Sequence, residues 1–244
     1  MEGKIVGSHP DLSESLKKRT KIDRYSKWMY NMFKNHLGTR ILDIGSGTGN
    51  MISHYVKDCE TIVATDIFEH QIDYIIERFK NQNNLSAYLF DIGKDNINNF
   101  KSNNFNTITC INVLEHIEND IEALEKMKDL VCEEGKIIIL VPAFNCLYGT
   151  MDKVCGHHRR YDPEVLKDMA SKLDLEVIED KYFNALGIIP WFLKGKVLKK
   201  KKTFSDELND INSNFYNFAS MVLEPLEKMI RMPIGISEVV IMKK

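Results

Sequence analysis

Between residues 21 and 183 two hydrophobic patterns alternate. Short apolar runs end at glycine, asparagine or aspartate, and between them apolar residues return every three or four positions. Residues 21–37 place Ile22, Tyr25, Met29, Met32, Phe33 and His36 on one helical face. RILDIG (40–45) is a buried strand closed by glycine, and GTGNMISHYVKDC continues as a glycine turn and then a helix. TIVATDI (61–67), LSAYLFDI (85–92) and FNTITCINVL (105–114) repeat the strand pattern. HQIDYIIERFKN and an acidic segment from about Asn119 to Val131 repeat the helical one. The EEG at 133–135 reads as a turn into KIIILVPA, a fifth strand with a β-branched centre. Strands separated by helices predict βαβ units, a parallel sheet and right-handed crossovers that cover both faces.

Beyond the fifth strand, Asp162-Pro163 reads as an N-cap followed by proline at the first helical position, with EVLKDMASKL continuing the helix. LEVIEDKYF (175–183) and SEVVIMKK (237–244) read as two last strands, with an inserted, mostly helical segment over 184–236. The asparagine- and lysine-rich stretch 93–104 reads as solvated loop. A single domain is expected over 1–244: a helical cap (1–38), a core (39–142) and a second half (143–244).

Composition narrows the class. Hydrophobic residues are 43% and charged residues 28%, as in ordinary globular chains, and the formal charge of -2 excludes a generally basic nucleic-acid coat. No apolar run approaches the ~20 residues of a membrane span. The polar first twenty residues lack the apolar centre of a secretory signal. Cys59, Cys110, Cys132, Cys146 and Cys155 are an odd, scattered set that suits a reducing cytoplasm better than a disulfide framework. Cys155-Gly156-His157-His158 does not supply the four spaced ligands of a closed zinc site, so no metal is expected.

The chemistry starts at Asp43-Ile44-Gly45-Ser46-Gly47-Thr48-Gly49. Glycines at alternate positions let the backbone turn sharply and let a ligand approach the peptide plane, and the helix that follows offers free N–H groups. The spacing is G-x-G-x-G rather than the dinucleotide G-x-G-x-x-G, and Asp43 would repel a pyrophosphate while suiting an ammonium or sulfonium. Asp66 and Asp91 close the second and third strands at the edge where open α/β sheets bind ligands. A carboxylate after the second strand can accept from two ribose hydroxyls, and one after the third from an adenine amine, with Phe90 and Ile92 packed near the ring.

ILDIGSGTG, VATDI, LFDI and FNTITCINVLEHI in this order resemble the class I S-adenosylmethionine-dependent methyltransferases. The resemblance implies a Rossmann-like, seven-stranded, mostly parallel sheet with an antiparallel last strand. It implies S-adenosyl-L-methionine as cofactor and S-adenosyl-L-homocysteine as product. Gly45, Gly47 and Gly49 would pass under the methionine part and Asp43 would place its amino group. Asp66 with Ile67 would take the ribose, Asp91 with Ile92 the adenine, and Asn112, Val113 and His116 would close the site.

Val141-Pro142-Ala143, Gly149-Thr150-Met151-Asp152 and Gly156-His157-His158-Arg159-Arg160-Tyr161 resemble a methyltransferase subgroup associated with glycan or lipid metabolism. On a loop after strand five, His157 can take a proton from an attacking O or N. Tyr161 can donate a hydrogen bond or pack on the acceptor. Arg159 and Arg160 can pair with an acceptor phosphate or carboxylate, or else pin the loop to the fold. Tyr25 and Trp28 can form a lid, or pack as an ordinary amphipathic helix. Residues 186–202 crowd Leu186, Ile188, Ile189, Trp191, Phe192, Leu193, Val197 and Leu198 before Lys199–Lys202. They read as a pocket cap with a lysine tail or as a peripheral contact with anionic membrane, and nucleic acid is not expected. The functional expectation is methyl transfer to O or N of a small-molecule, glycan or lipid-linked acceptor. The alternatives are a cofactor-binding module without catalysis and, less favoured by the glycine spacing, a nicotinamide-dependent oxidoreductase.

Overall fold

The structure is a computed structural model that describes residues 23–198, 224 and 233–244. Its strands are β1 (Arg40–Ile44), β2 (Thr61–Asp66), β3 (Leu85–Leu89), β4 (Phe105–Ile111), β5 (Val131–Pro142), β6 (Glu176–Phe183) and β7 (Ser237–Lys243). They form one sheet in the order β3-β2-β1-β4-β5-β7-β6. β1 to β5 pair in parallel, and β7 runs antiparallel between β5 and β6. The carboxyl ends of β1 to β6 and the start of β7 therefore share one edge.

The helices are α1 (Asp23–Phe33), α2 (Ile52–Tyr55), α3 (Glu69–Arg78), α4 (Asp120–Leu130), α5 (Thr150–Cys155), α6 (Val165–Lys172) and α7 (Ile188–Phe192). The period-two geometry of β5 explains its continuous apolar sequence, because both faces are covered. Ile137, Ile139 and Val141 pack with Ala123, Leu124 and Met127 of α4 and Leu166 and Met169 of α6. Ile138 and Leu140 face the other way, onto Phe33 of α1 and Val239 and Ile241 of β7. At the other end of the sheet Ile41, Ile62 and Ala64 pack on Ile52 and Tyr55 of α2 and Ile75 of α3.

Three local expectations are corrected. The EEG segment is not a turn before β5 but an irregularity inside it, with Glu134 at φ 64° and pairing to β4 resuming at Thr107–Lys136. Asp162 does not cap α6. Its carboxylate accepts from the Asn145 amide, and Glu164 at φ 73° delays the helix to Val165. The stretch 93–104 is not all solvated loop, because a 3-10 helix over Ile97–Asn103 buries Ile97 and Phe100 in the core.

Candidate active site

The strand-to-helix turn after β1 places Gly45, Gly47 and Gly49 at φ 68°, 55° and 70°, in the left-handed region that side chains rarely adopt. Their surroundings differ. A Cβ on Gly45 would lie 2.2 Å from a Val113 methyl and one on Gly49 2.5 Å from the Phe79 ring, whereas one on Gly47 would meet nothing within 4 Å. Gly45 and Gly49 are thus required by packing, and Gly47 opens outward. Two groups hold the turn: the Gly47 amide donates to Asp66 Oδ2 at 2.8 Å, and Arg78 of α3 donates to the Thr48 carbonyl at 2.5 Å and to Asn50 Oδ1 at 2.9 Å.

Asp66 is the last residue of β2, as expected, whereas β3 ends at Leu89 and Asp91 stands two residues beyond it. Asp66 Oδ1 also accepts from the Phe68 amide at 3.0 Å. Asp91 accepts from the Gly93 amide at 2.9 Å and pairs with Lys94 at 3.2 Å. Ile67 and Phe68 beside Asp66 are 56% and 54% exposed, an open apolar shelf at the same edge. Asp43 lies beneath the turn. It is buried, accepts from the Thr109 hydroxyl, and burial raises its carboxyl above the ordinary range. Phe90 and Ile92 point into the core, where Phe90 packs edge-on against Phe100 and the Ile92 carbonyl accepts from Lys126.

A cavity of about 270 Å³ opens at the carboxyl edge of β4, β5 and β6. Asn112, which follows β4 at φ 54°, and Asn184, which follows β6 at φ 59°, form part of its wall with Pro142, Ile236 and Ser237. Tyr25 of α1 and Met151 of α5 supply further wall, with Pro190 and Trp191 of α7. Its polar end is Glu115, His116, His157 and Arg160.

Asp152 organises that end. It is fully buried, its Oδ1 accepts from Arg160 Nε at 2.7 Å and His157 Nδ1 at 3.0 Å, and its Oδ2 accepts from the Gly149 amide at 2.8 Å. The Trp191 indole N–H also points at Oδ2, at 3.4 Å. Burial acts to raise the Asp152 carboxyl, but the His157 hydrogen bond, the Arg160 charge and the Gly149 amide together hold it below the carboxylate range. His157 Nδ1 therefore donates to Asp152, and Nε2 faces Glu115 Oε1 at 3.9 Å. Glu115 is 1% exposed, and burial pushes its carboxyl up to about 8 against the opposing effect of Arg160. Burial and then the neighbouring His157 hold His116 below the ordinary histidine value.

Several expected residues stand elsewhere. Tyr161 is 1% exposed and donates to Asp120 Oδ2 at 2.8 Å, away from the cavity. Arg159 bonds Asp120 at 3.1 Å and the Glu118 carbonyl at 2.6 Å, so it pins the loop. Arg160 lines the cavity but is held by Asp152 and by the Ala143 carbonyl at 3.0 Å, with its guanidinium 4.7 Å over the Trp191 ring. Trp28 is 2% exposed, 4.6 Å from Phe183, and belongs to the core, while Tyr25 reaches the cavity. Val113 packs under Gly45 rather than closing the site from above. The sequence reading missed Glu115 and named Asp152 within the Gly149–Asp152 motif, with no role of its own. An acid inside the apolar run Val113-Leu114-Glu115 was the available signal for the first.

The family described as "Methyltransferase domain" matches residues 42–137, the stretch that carries the glycine turn and β2 to β4. An uncharacterised protein of Methanocaldococcus jannaschii is 32% identical over 45% of this chain and 43% of its own. The juvenile hormone acid O-methyltransferase of Drosophila melanogaster is 28% identical over 39% of this chain and 33% of its own. The matched stretch spans less than half the length of either relative. Among solved structures, an S-adenosylmethionine-dependent methyltransferase from Archaeoglobus fulgidus shares the fold over 97% of this chain and 100% of that one, with a TM-score of 0.61 at 19% identity. A (4+2)-cyclase shares it over 91% of this chain and 80% of that one, with a TM-score of 0.60 at 14% identity.

The strand order with an antiparallel β7 is the fold of these methyltransferases, and the glycine turn lies within the stretch that matches the methyltransferase domain.

Proposed function

We propose that the protein transfers a methyl group from S-adenosylmethionine to an oxygen or nitrogen of a small-molecule, glycan or lipid-linked acceptor held in the cavity beside Asn112. The observation that carries this reading is the cavity itself. It lies at the carboxyl edge of the strands, has mostly apolar walls, and ends in an oriented imidazole beside a buried carboxylate.

The residues present fit the cofactor. Gly47 leaves open space where a side chain would stand, Asp66 and Asp91 present carboxylates at successive strand ends, and Ile67 and Phe68 offer an apolar shelf. In this reading the Gly45–Gly49 turn and the field of Asp43 hold the methionine part, Asp66 the ribose and Asp91 the adenine. When bound, S-adenosylmethionine supplies an electrophilic methyl on a good leaving group, so the protein has mainly to align the acceptor atom. The cavity walls orient the acceptor, with Tyr25 and Trp191 on its apolar body. His157, held by Asp152, receives the proton from the attacking O–H or N–H at Nε2.

The apolar side chains of Ile189, Phe192, Leu193, Val197 and Leu198 are exposed next to the cavity-lining Trp191. This supports a reversible membrane contact that presents the cavity to a lipid-borne acceptor. Lys199–Lys202 of that expectation lie outside the described residues. No helix among the described residues is long and apolar enough to cross a membrane.

The test is transfer of tritium from labelled S-adenosylmethionine into separated polar and lipid fractions of a metabolite extract. Label in one fraction that requires His157 supports the reading. Tight cofactor binding with no label in any fraction favours a binding module without catalysis.

A further inference from the structure

We infer that Glu115, His116 and His157 form a binding site for one divalent transition-metal ion at the polar end of the cavity, with its open positions facing the acceptor. One ligand atom from each residue lies within 4.8 Å of the others; Glu115 and His116 are adjacent in the chain, and the fold brings His157 to them.

The hydrogen bonds around the cluster prepare both rings. His157 gives its Nδ1 proton to the Asp152 carboxylate at 3.0 Å, and His116 Nδ1 meets the Gly156 carbonyl at 3.2 Å. A carbonyl or carboxylate at Nδ1 fixes the proton there and leaves the Nε2 lone pair free on each ring. A carboxylate behind a histidine is the outer-shell arrangement that orients a metal ligand and raises its basicity. The Glu115 carboxylate is 1% exposed, and its Oε2 has no hydrogen-bond partner among the described residues. An unpaired, buried carboxylate oxygen is costly unless something with positive charge meets it.

The distances suit an ion that draws the ligands together. Ligands ~2.1 Å from a metal stand roughly 3.0–3.4 Å from one another, between octahedral and tetrahedral arrangements. His157 Nε2 and Glu115 Oε1 are 3.9 Å apart. Side-chain rotation of about 1 Å closes that gap. Two imidazoles and one carboxylate favour a borderline first-row ion over calcium or magnesium. Three protein ligands with the remaining positions open mark a catalytic rather than a structural site.

This deepens the methyl-transfer reading without depending on it. With an ion bound, the His157 lone pair would be engaged; an acceptor hydroxyl on the ion would lose its proton to solvent, and its oxygen would take the methyl as the S–CH3 bond of S-adenosylmethionine breaks and S-adenosylhomocysteine leaves. The ion then takes the part assigned above to the free imidazole.

The test reads metal, not methyl transfer. Chelator-stripped protein is titrated with Co²⁺, followed by its visible absorption and by calorimetry. One equivalent with a nitrogen and oxygen ligand spectrum is expected. Glu115→Gln should abolish saturable binding, and Asp152→Asn, which removes the carboxylate behind His157 while leaving the three ligands in the chain, should weaken it by about 10–100-fold. Far-UV circular dichroism checks that each variant is folded, and His116→Gln stands in if Glu115→Gln is not. No binding at millimolar Co²⁺ overturns the proposal. So does equal binding by every folded variant, or a sulfur-to-cobalt band from the neighbouring Cys155. Because S-adenosylmethionine affinity is measured separately on the stripped protein, a missing metal leaves the methyltransferase assignment standing.

Discussion

Replacing Asp152 by asparagine changes no volume and should nevertheless unsettle the cavity. Both carboxylate oxygens receive donors: Oδ1 from Arg160 and His157, Oδ2 from Gly149 and Trp191. Whichever way the asparagine amide turns, its NH₂ faces a donor. Arg160 is also left as a cation that is 4% exposed, with its remaining bond to the Ala143 carbonyl. Removing one partner of a buried ion pair costs about 3–5 kcal/mol. The remaining bond to the Ala143 carbonyl and the Trp191 ring under the guanidinium compensate in part, so ~3 kcal/mol is expected. For a chain of this size each kcal/mol lowers the melting temperature by roughly 2–4 °C, which gives a drop of about 6–12 °C. Differential scanning calorimetry and urea titration at pH 7 measure it. A double variant, Asp152→Leu with Arg160→Met, should recover much of the loss, because an apolar pair needs no compensation. A fall under ~2 °C for Asp152→Asn would show that Asp152 does not hold this wall together.

Other expectations follow from single contacts. Gly47→Ala should cost about 1–2 kcal/mol for its positive φ yet fold, and should lose S-adenosylmethionine affinity. Gly49→Ala should be the less stable of the two, because its methyl meets the Phe79 ring; melting and calorimetric titration separate them. Tyr161→Phe should lose about 1 kcal/mol and leave turnover unchanged, since its hydroxyl serves Asp120; a collapse in turnover would return Tyr161 to the chemistry. Burial, reinforced by the Asp180 carboxylate, pushes Glu238 on β7 up to about 8. The folded state then holds a proton that the unfolded chain releases near ~4.3, so stability should fall as pH rises from there to about 8 and level off above it. Glu115, raised to about 8 as well, contributes in the same direction, so Glu238→Gln should make the decline shallower without removing it, and an unchanged slope would contradict the assignment.

The central strands were legible because a parallel sheet buried on both faces writes them as apolar runs, as in β1, β2 and the Ile137–Val141 part of β5. The glycine turn was legible because backbone geometry demands the residue itself. Residue types around the G-H-H-R-R-Y motif were less informative. Arg159, Tyr161 and Trp28 look like ligands in the sequence, yet their polar and aromatic groups are consumed by Asp120 and Phe183. Local pattern does not say which way a side chain points. Glu115 and His157 meet only because the loop after β5 folds back on the end of β4, a contact that no periodicity records. The irregularity at Glu134 and the positive φ of Glu164 were hidden for a related reason, since neither residue is one that such geometry favours.

The most direct test of the class assignment is a calorimetric titration of the folded protein with S-adenosylmethionine, with a nicotinamide dinucleotide titrated alongside. One saturable site for S-adenosylmethionine is expected, weakened about 10–150-fold in Asp66→Ala by loss of a charge-assisted hydrogen bond worth ~1.5–3 kcal/mol. Saturable binding of the dinucleotide with none of S-adenosylmethionine would contradict it.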